Sequence, residues 1–150
     1  KVGWATGPSD LIAAVRVVRQ HLSYVSGGPF QPAIAAGLRM PESYFAGLSA
    51  QMAAGRRLLA DGLDGLGLTV VPSAGSYFLV TDVAGLGWGD GEEFVWHLVE
   101  AAKVVAIPVQ RLSSTGAGRT LVRWTFCKRQ EVLSEALRRM ATAELVAEVD

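Results

Sequence analysis

Among 150 residues there is one cysteine, Cys127, which excludes an internal disulfide. A lone thiol fits a reducing compartment, so a cytoplasmic location is expected. Histidine is nearly as scarce: His21 and His97 are the only two, and neither has a companion at metal-ligand spacing. An excess of charge of either sign is also missing. Fourteen basic residues balance fourteen acidic ones, so no net field draws the chain to nucleic acid or to an anionic membrane. Long apolar runs are absent too: a stretch such as Leu66 to Val71 falls far short of the ~20 residues a membrane span needs. No basic region followed by an apolar one opens the chain, so no secretory signal is recognisable. There is no Walker motif, no Ser/His/Asp set and no zinc spacing. Gly85, Gly87, Gly89 and Gly91 make a glycine-rich stretch, but it lacks the strand–turn–helix setting of a nucleotide loop.

What is present is an ordinary globular composition, 50% hydrophobic and 19% charged, sufficient for a packed core. Lys1 leads straight into Val2-Gly3-Trp4-Ala5, which reads as a strand already under way, so a fragment of a longer protein is expected. Residues 1–6 are read as that strand, ended by Gly7-Pro8. Leu11, Ile12, Val15, Val18, Leu22 and Val25 recur at helical spacing behind the cap-type Ser9 and Asp10. Gly27-Gly28-Pro29 breaks this helix, and an alanine-rich helical segment follows over 31–38. A long helix is expected from Pro41, with Phe45, Leu48, Met52, Leu59, Leu63 and Leu66 as its apolar stripe. Strands are predicted at 68–71, 76–80, 104–109 and 120–127, a loop at 85–91, and helices at 92–102 and 130–143. Helices and short strands mix without regular alternation, which favours an α+β layer, helices packed on a small mixed sheet.

Arg123 is the position that physical chemistry singles out. In Leu121-Val122-Arg123-Trp124-Thr125-Phe126-Cys127 the side chains alternate between two faces. Arg123 shares its face with Leu121, Thr125 and Cys127; Val122, Trp124 and Phe126 line the other. Both faces are largely apolar, and a shielded guanidinium is costly unless an anion meets it. Its planar fork suits a carboxylate. That carboxylate belongs either to a ligand or to an internal acid, and the sequence leaves both open. Cys127 reads as a buried structural cysteine, although Lys128 and Arg129 beside it would favour the thiolate. His21 and His97 read as surface or packing residues.

Four segments in order extend this reading. Lys1-Val2-Gly3-Trp4-Ala5-Thr6-Gly7-Pro8 resembles the end of the Ser-Lys…Gly-Trp…Gly-Pro motif of class I/II, fold-type-I aminotransferases. Pro72-Ser73-Ala74-Gly75-Ser76-Tyr77-Phe78-Leu79 is similar to their Gly-(Ser/Thr)-Tyr-Phe strand. Val105-Ala106-Ile107-Pro108-Val109 is similar to their Ala-Ile-Pro turn, and Leu121 to Lys128 resembles their (Val/Ile)-Arg-Phe-x-Phe-x-Lys strand. The resemblance is strongest to the branch holding N-succinyldiaminopimelate, kynurenine, glutamine and methionine aminotransferases, with cysteine-conjugate β-lyases.

The resemblance implies a pyridoxal 5'-phosphate enzyme of amino-acid biosynthesis, a cytoplasmic homodimer that transfers an amino group between an amino acid and a 2-oxo acid. N-succinyl-LL-diaminopimelate and 2-oxoglutarate are the implied pair. Residues 1–40 would be the end of the large cofactor-binding domain, with its last strand and an interdomain helix; residues 41–150 would be the small C-terminal domain. Lys1 would contact the cofactor phosphate, and Arg123 would bind the substrate α-carboxylate. The Schiff-base lysine would lie upstream of Lys1, leaving no catalytic residue in this sequence. Residues 24–30 fall where such dimers approach the partner's active site. Gln110-Arg111-Leu112 departs from the Ser-x-Phe common in the branch; Arg111 either meets a distal acid group on the substrate or is a solvated loop residue. A β-lyase, or a non-catalytic truncated small domain, are the alternatives.

Overall fold

The structure is a computed structural model that describes residues 2–24 and 28–147. The chain divides into two compact units, Lys1–Ala46 and Gly47–Asp150. In the first, residues 2–8 have no regular structure, although a strand is expected over 1–6. A strand needs a ladder partner for its N–H and C=O groups, and this unit contains no other strand among its described residues. Helix α1 (Ser9–Leu22) and helix α2 (Phe30–Gly37) follow, and neither buries a residue. Of the predicted apolar stripe of α1, Leu11, Val15, Val18 and Leu22 are open to solvent and Ile12 is half-buried, while Val25 lies outside the described residues.

The second unit carries the core. Most of helix α3 (Glu42–Gly65) leads to four short strands: β1 (Thr69–Val71), β2 (Phe78–Asp82), β3 (Ile107–Pro108) and β4 (Leu121–Thr125). Helix α4 (Gly91–Ala102) lies between β2 and β3 in sequence, and helix α5 (Gln130–Ala141) follows β4. The strand order is β1-β2-β4-β3, antiparallel at every pairing rather than mixed. From β1 to β2 the connection over 72–77 is shorter than the roughly dozen residues that a parallel crossover requires.

Alternation decides which face of the sheet meets the helices. Leu79, Thr81, Val122, Trp124 and Phe126 are buried, together with Leu59 and Leu63 of α3, Phe94 and Leu98 of α4, and Leu133 and Met140 of α5. The one buried polar side chain among the described residues, Thr81, accepts a hydrogen bond from Trp124 Nε1 at 2.9 Å, so neither group is left unsatisfied. The opposite face, with Phe78, Val80, Asp82, Leu121, Arg123 and Thr125, is only half-buried.

Strand ends differ from expectation for local reasons. Ser76 has a φ of 66°, a left-handed backbone that a strand cannot accept, so β2 begins at Phe78. The expected 104–109 strand shrinks to Ile107–Pro108 and continues as a 3-10 turn over Val109–Leu112. Proline gives no ladder N–H, which confines this piece to a sheet edge. The expected loop at 85–91 holds a 3-10 turn over Ala84–Leu86.

Close packing of α3 depends on Gly55. A Cβ built there lies 2.8 Å from the backbone oxygen of Phe126, which cannot swing away as a side chain can. At Gly47, also in α3, a Cβ meets nothing within 4 Å. We predict that Gly55→Ala destabilises by about 1–2 kcal/mol despite alanine's better helix propensity, whereas Gly47→Ala stabilises by up to about 1 kcal/mol. Urea unfolding of the two variants checks this; equal stabilisation by both would contradict it.

Candidate active site on the open face of the sheet

Arg123 stands at the centre of β4, on the half-open face. Its Cα partners are Val80 on β2 and Ile107 on β3, so it is flanked by a strand on each side. Its guanidinium carbon lies 4.0 Å from the centroid of the Phe78 ring. The Nε atom is buried and has no hydrogen-bond partner. The ion pairs among the described residues are Arg111–Glu92, Arg119–Asp90, Arg138–Glu135 and Arg139–Glu135, and Arg123 belongs to none of them. The acid on its own face, Asp82, is engaged locally, its Oδ1 accepting from the Ala84 amide at 2.9 Å. Of the two partners that the sequence leaves open, the internal acid is therefore not found among the described residues. What the fold presents is a shielded cation with a donor to spare, a costly arrangement until an acceptor arrives.

Other sequence candidates are placed differently. Lys1 lies outside the described residues, as do Val25, Ser26 and Gly27 of the 24–30 segment. Cys127 is exposed rather than buried: β4 ends at Thr125, so the cysteine has left the sheet, and its Sγ lies 3.1 Å from Thr125 Oγ1. A ring nitrogen of His97 meets the Glu144 carbonyl, and the exposed His21 touches Gln20. No group of three or more His, Cys, Asp or Glu among the described residues could hold a metal. Arg111 is 66% exposed and paired with Glu92. The hydrogen bond and charge of Glu92 hold its guanidinium above the ordinary arginine range.

Asp90 is a polar centre that sequence patterns alone did not single out. It caps α4, accepting from the Glu92 amide at 2.8 Å and the Glu93 amide at 3.4 Å. It also accepts from Gln110 Nε2 at 2.9 Å and pairs with Arg119 Nε at 3.2 Å. One carboxylate thus ties the start of α4 to the 3-10 turn after β3 and to the approach to β4. An Asp directly before Gly91-Glu92-Glu93 is the signal that could have found the cap. The Glu92 amide, then Gln110, the Glu93 amide and Arg119, hold its carboxyl below the usual range against the opposing effect of partial burial.

The aminotransferase class I and II family model matches residues 1–140. The chain belongs to the class I and II aminotransferases. It is 44% identical to a probable N-succinyldiaminopimelate aminotransferase of Mycobacterium tuberculosis, covering 94% of this chain and 38% of that protein. It is 31% identical to kynurenine–oxoglutarate transaminase 3 of Rattus norvegicus, covering 91% of this chain and 34% of the relative. The solved N-succinyldiaminopimelate aminotransferase of Mycobacterium tuberculosis matches with a TM-score of 0.83 at 45% identity, covering 93% of this chain and 36% of that one. The expected fold, part of a fold-type-I aminotransferase, is therefore the observed one, and the chain spans under two-fifths of the relatives it matches.

Aminotransferases of this class are generally pyridoxal-phosphate-dependent. The described residues fit the substrate end of such a site: an orphaned, shielded Nε on Arg123 suits the oxygen of an acid. The position expected at the cofactor phosphate, Lys1, lies outside the described residues.

The Asp90 cluster has a pH signature. A carboxyl with a lowered folded pKa stabilises the fold above its unfolded value, about 3.9, and that stabilisation is lost as pH falls through the folded value. Asp90→Asn keeps a capping acceptor but loses the charge. We predict that wild type exceeds Asp90→Asn in stability at pH 6, with a gap that closes below about pH 4. Denaturant unfolding across pH 3–7 measures it; a gap independent of pH would contradict the assignment.

Proposed function

We propose that this chain is part of a pyridoxal-phosphate-dependent aminotransferase that moves an amino group between N-succinyl-LL-diaminopimelate and a 2-oxo acid such as 2-oxoglutarate. The observation that carries the reading is the unpaired, shielded Nε of Arg123 on the open face of the sheet. In this reading Arg123 receives the α-carboxylate of each substrate in turn. A planar fork accepts a carboxylate along one edge, so it sets both the distance and the rotation of the substrate. Lys1 serves the cofactor phosphate as a compact cation. When bound, the cofactor supplies the electron sink for chemistry at the α-carbon. The work of this chain is to bind and orient the acid and to keep water from its charge.

The substrate pair rests on the 44% identity with the mycobacterial relative, whose name carries that activity. The open apolar stripe of α1 supports an assembled protein, a homodimer in this reading, in which that stripe is covered. The lone cysteine supports a cytoplasmic setting. The chain of 150 residues by itself is inactive in this reading, because the lysine that bonds the cofactor lies outside it.

Truncating one partner of a desolvated charge pair costs about 2–5 kcal/mol. In the full-length protein Arg123→Gln should therefore lower kcat/KM for both substrates by about 30-fold or more. Coupled transamination assays read this directly. Unchanged kcat/KM with both acids would overturn the role of Arg123, and β-elimination of the thiol from a cysteine S-conjugate, without transamination of either acid, would replace the reaction by that of a β-lyase.

A further inference from the structure

We propose that Phe78 is a positioning residue for Arg123: its ring fixes the plane of the guanidinium so that its open hydrogen-bonding edge stays presented to the substrate acid. The inference rests on the reading of Arg123 given above and adds the group that orients it.

Register makes the contact possible. Phe78 is opposite Thr125 and Val80 is opposite Arg123, so Phe78 is the diagonal neighbour of Arg123 across the β2–β4 pair. Diagonal neighbours lie within reach of aromatic and long side chains. The guanidinium carbon sits 4.0 Å from the ring centroid, well inside the ~6 Å range of a cation–π contact. An arginine side chain has several rotatable bonds, and here neither an ion pair nor a hydrogen bond restrains it among the described residues. The ring contact is what the structure offers in their place.

Stacking uses the flat face of the guanidinium and leaves its hydrogen-bonding edge for a carboxylate. A salt bridge would hold the group more firmly but would consume that edge. The ring is itself located by the backbone. Ser76, with its left-handed φ, turns the chain into β2 two residues before Phe78, and Arg56 Nη1 donates to the Ser73 carbonyl to tether that turn. Tyr77 lies against Phe78 with ring centroids 4.3 Å apart.

The test uses the full-length protein loaded with pyridoxal phosphate, with Phe78→Leu, Phe78→Tyr and Arg123→Gln. The readouts are KM for N-succinyl-LL-diaminopimelate and for 2-oxoglutarate, and the inhibition constant of Nα-succinyl-lysine, which is the donor without the carboxylate next to its reacting amine. We expect Phe78→Leu to raise KM for both acids about fivefold with kcat within about twofold, and Phe78→Tyr to restore KM. Binding of Nα-succinyl-lysine should not move. Mono- and trifluorinated phenylalanine at position 78 keep the ring's shape while draining its face, so KM should rise stepwise even if Phe78→Leu folds poorly. A flat fluorination series, or an equal loss for Nα-succinyl-lysine, overturns the inference. If Arg123→Gln also leaves acid binding unchanged, the reading of Arg123 fails first.

Discussion

The arrangement turns on a guanidinium that the fold shields but does not neutralise. Arg123 sits between two strands, its Nε closed off from water and without an acceptor. Holding such a donor costs about 1–3 kcal/mol, a sizeable fraction of a domain's stability. In the proposed reading, the substrate carboxylate offsets that cost. Other arginines of this unit are treated differently: Arg111, Arg119, Arg138 and Arg139 each have an acid partner at the solvated surface. Glu135, shared between Arg138 and Arg139, has its carboxyl drawn down to about 2, yet at the solvated surface such pairs contribute little.

The rest of the second unit provides the rigidity that an unpaired charge needs. One face of the sheet is closed by α3, α4 and α5 around Phe94, Leu98, Leu133 and Met140, and the Trp124–Thr81 hydrogen bond locks β4 to β2 from below. Arg123 lies between Val122 and Trp124, both buried, so its backbone cannot shift without disturbing the core. Asp90 ties α4, the turn after β3 and the approach to β4 together at the sheet's end. The first unit shows the opposite pattern, with helices that bury nothing among the described residues.

Much of this is legible in the sequence because period-2 alternation is strict in β4. Val122, Trp124 and Phe126 read as one face and form the core; Arg123 reads as belonging to the other. Helices α3, α4 and α5 are likewise visible from their apolar spacing, and α3 also from Pro41 and Gly65 at its ends. Sequence reasoning fails where pairing or backbone sign decides. Residues 2–6 have strand-like composition but no ladder partner among the described residues, and Ser76 displaces the start of β2 through a left-handed φ that its residue type does not announce. Cys127 reads as buried only when the alternation is carried two residues past the true end of β4. The diagonal contact of Phe78 with Arg123 needs the β2–β4 register, which no local pattern contains.

The most direct measurement is a crystal structure of the full-length protein with 2-oxoglutarate bound. The account predicts a carboxylate oxygen within hydrogen-bond distance of the Arg123 guanidinium, with the guanidinium carbon still over the Phe78 ring. A ligand acid held elsewhere, with Arg123 Nε bonded to a carboxylate of the protein itself, would contradict it.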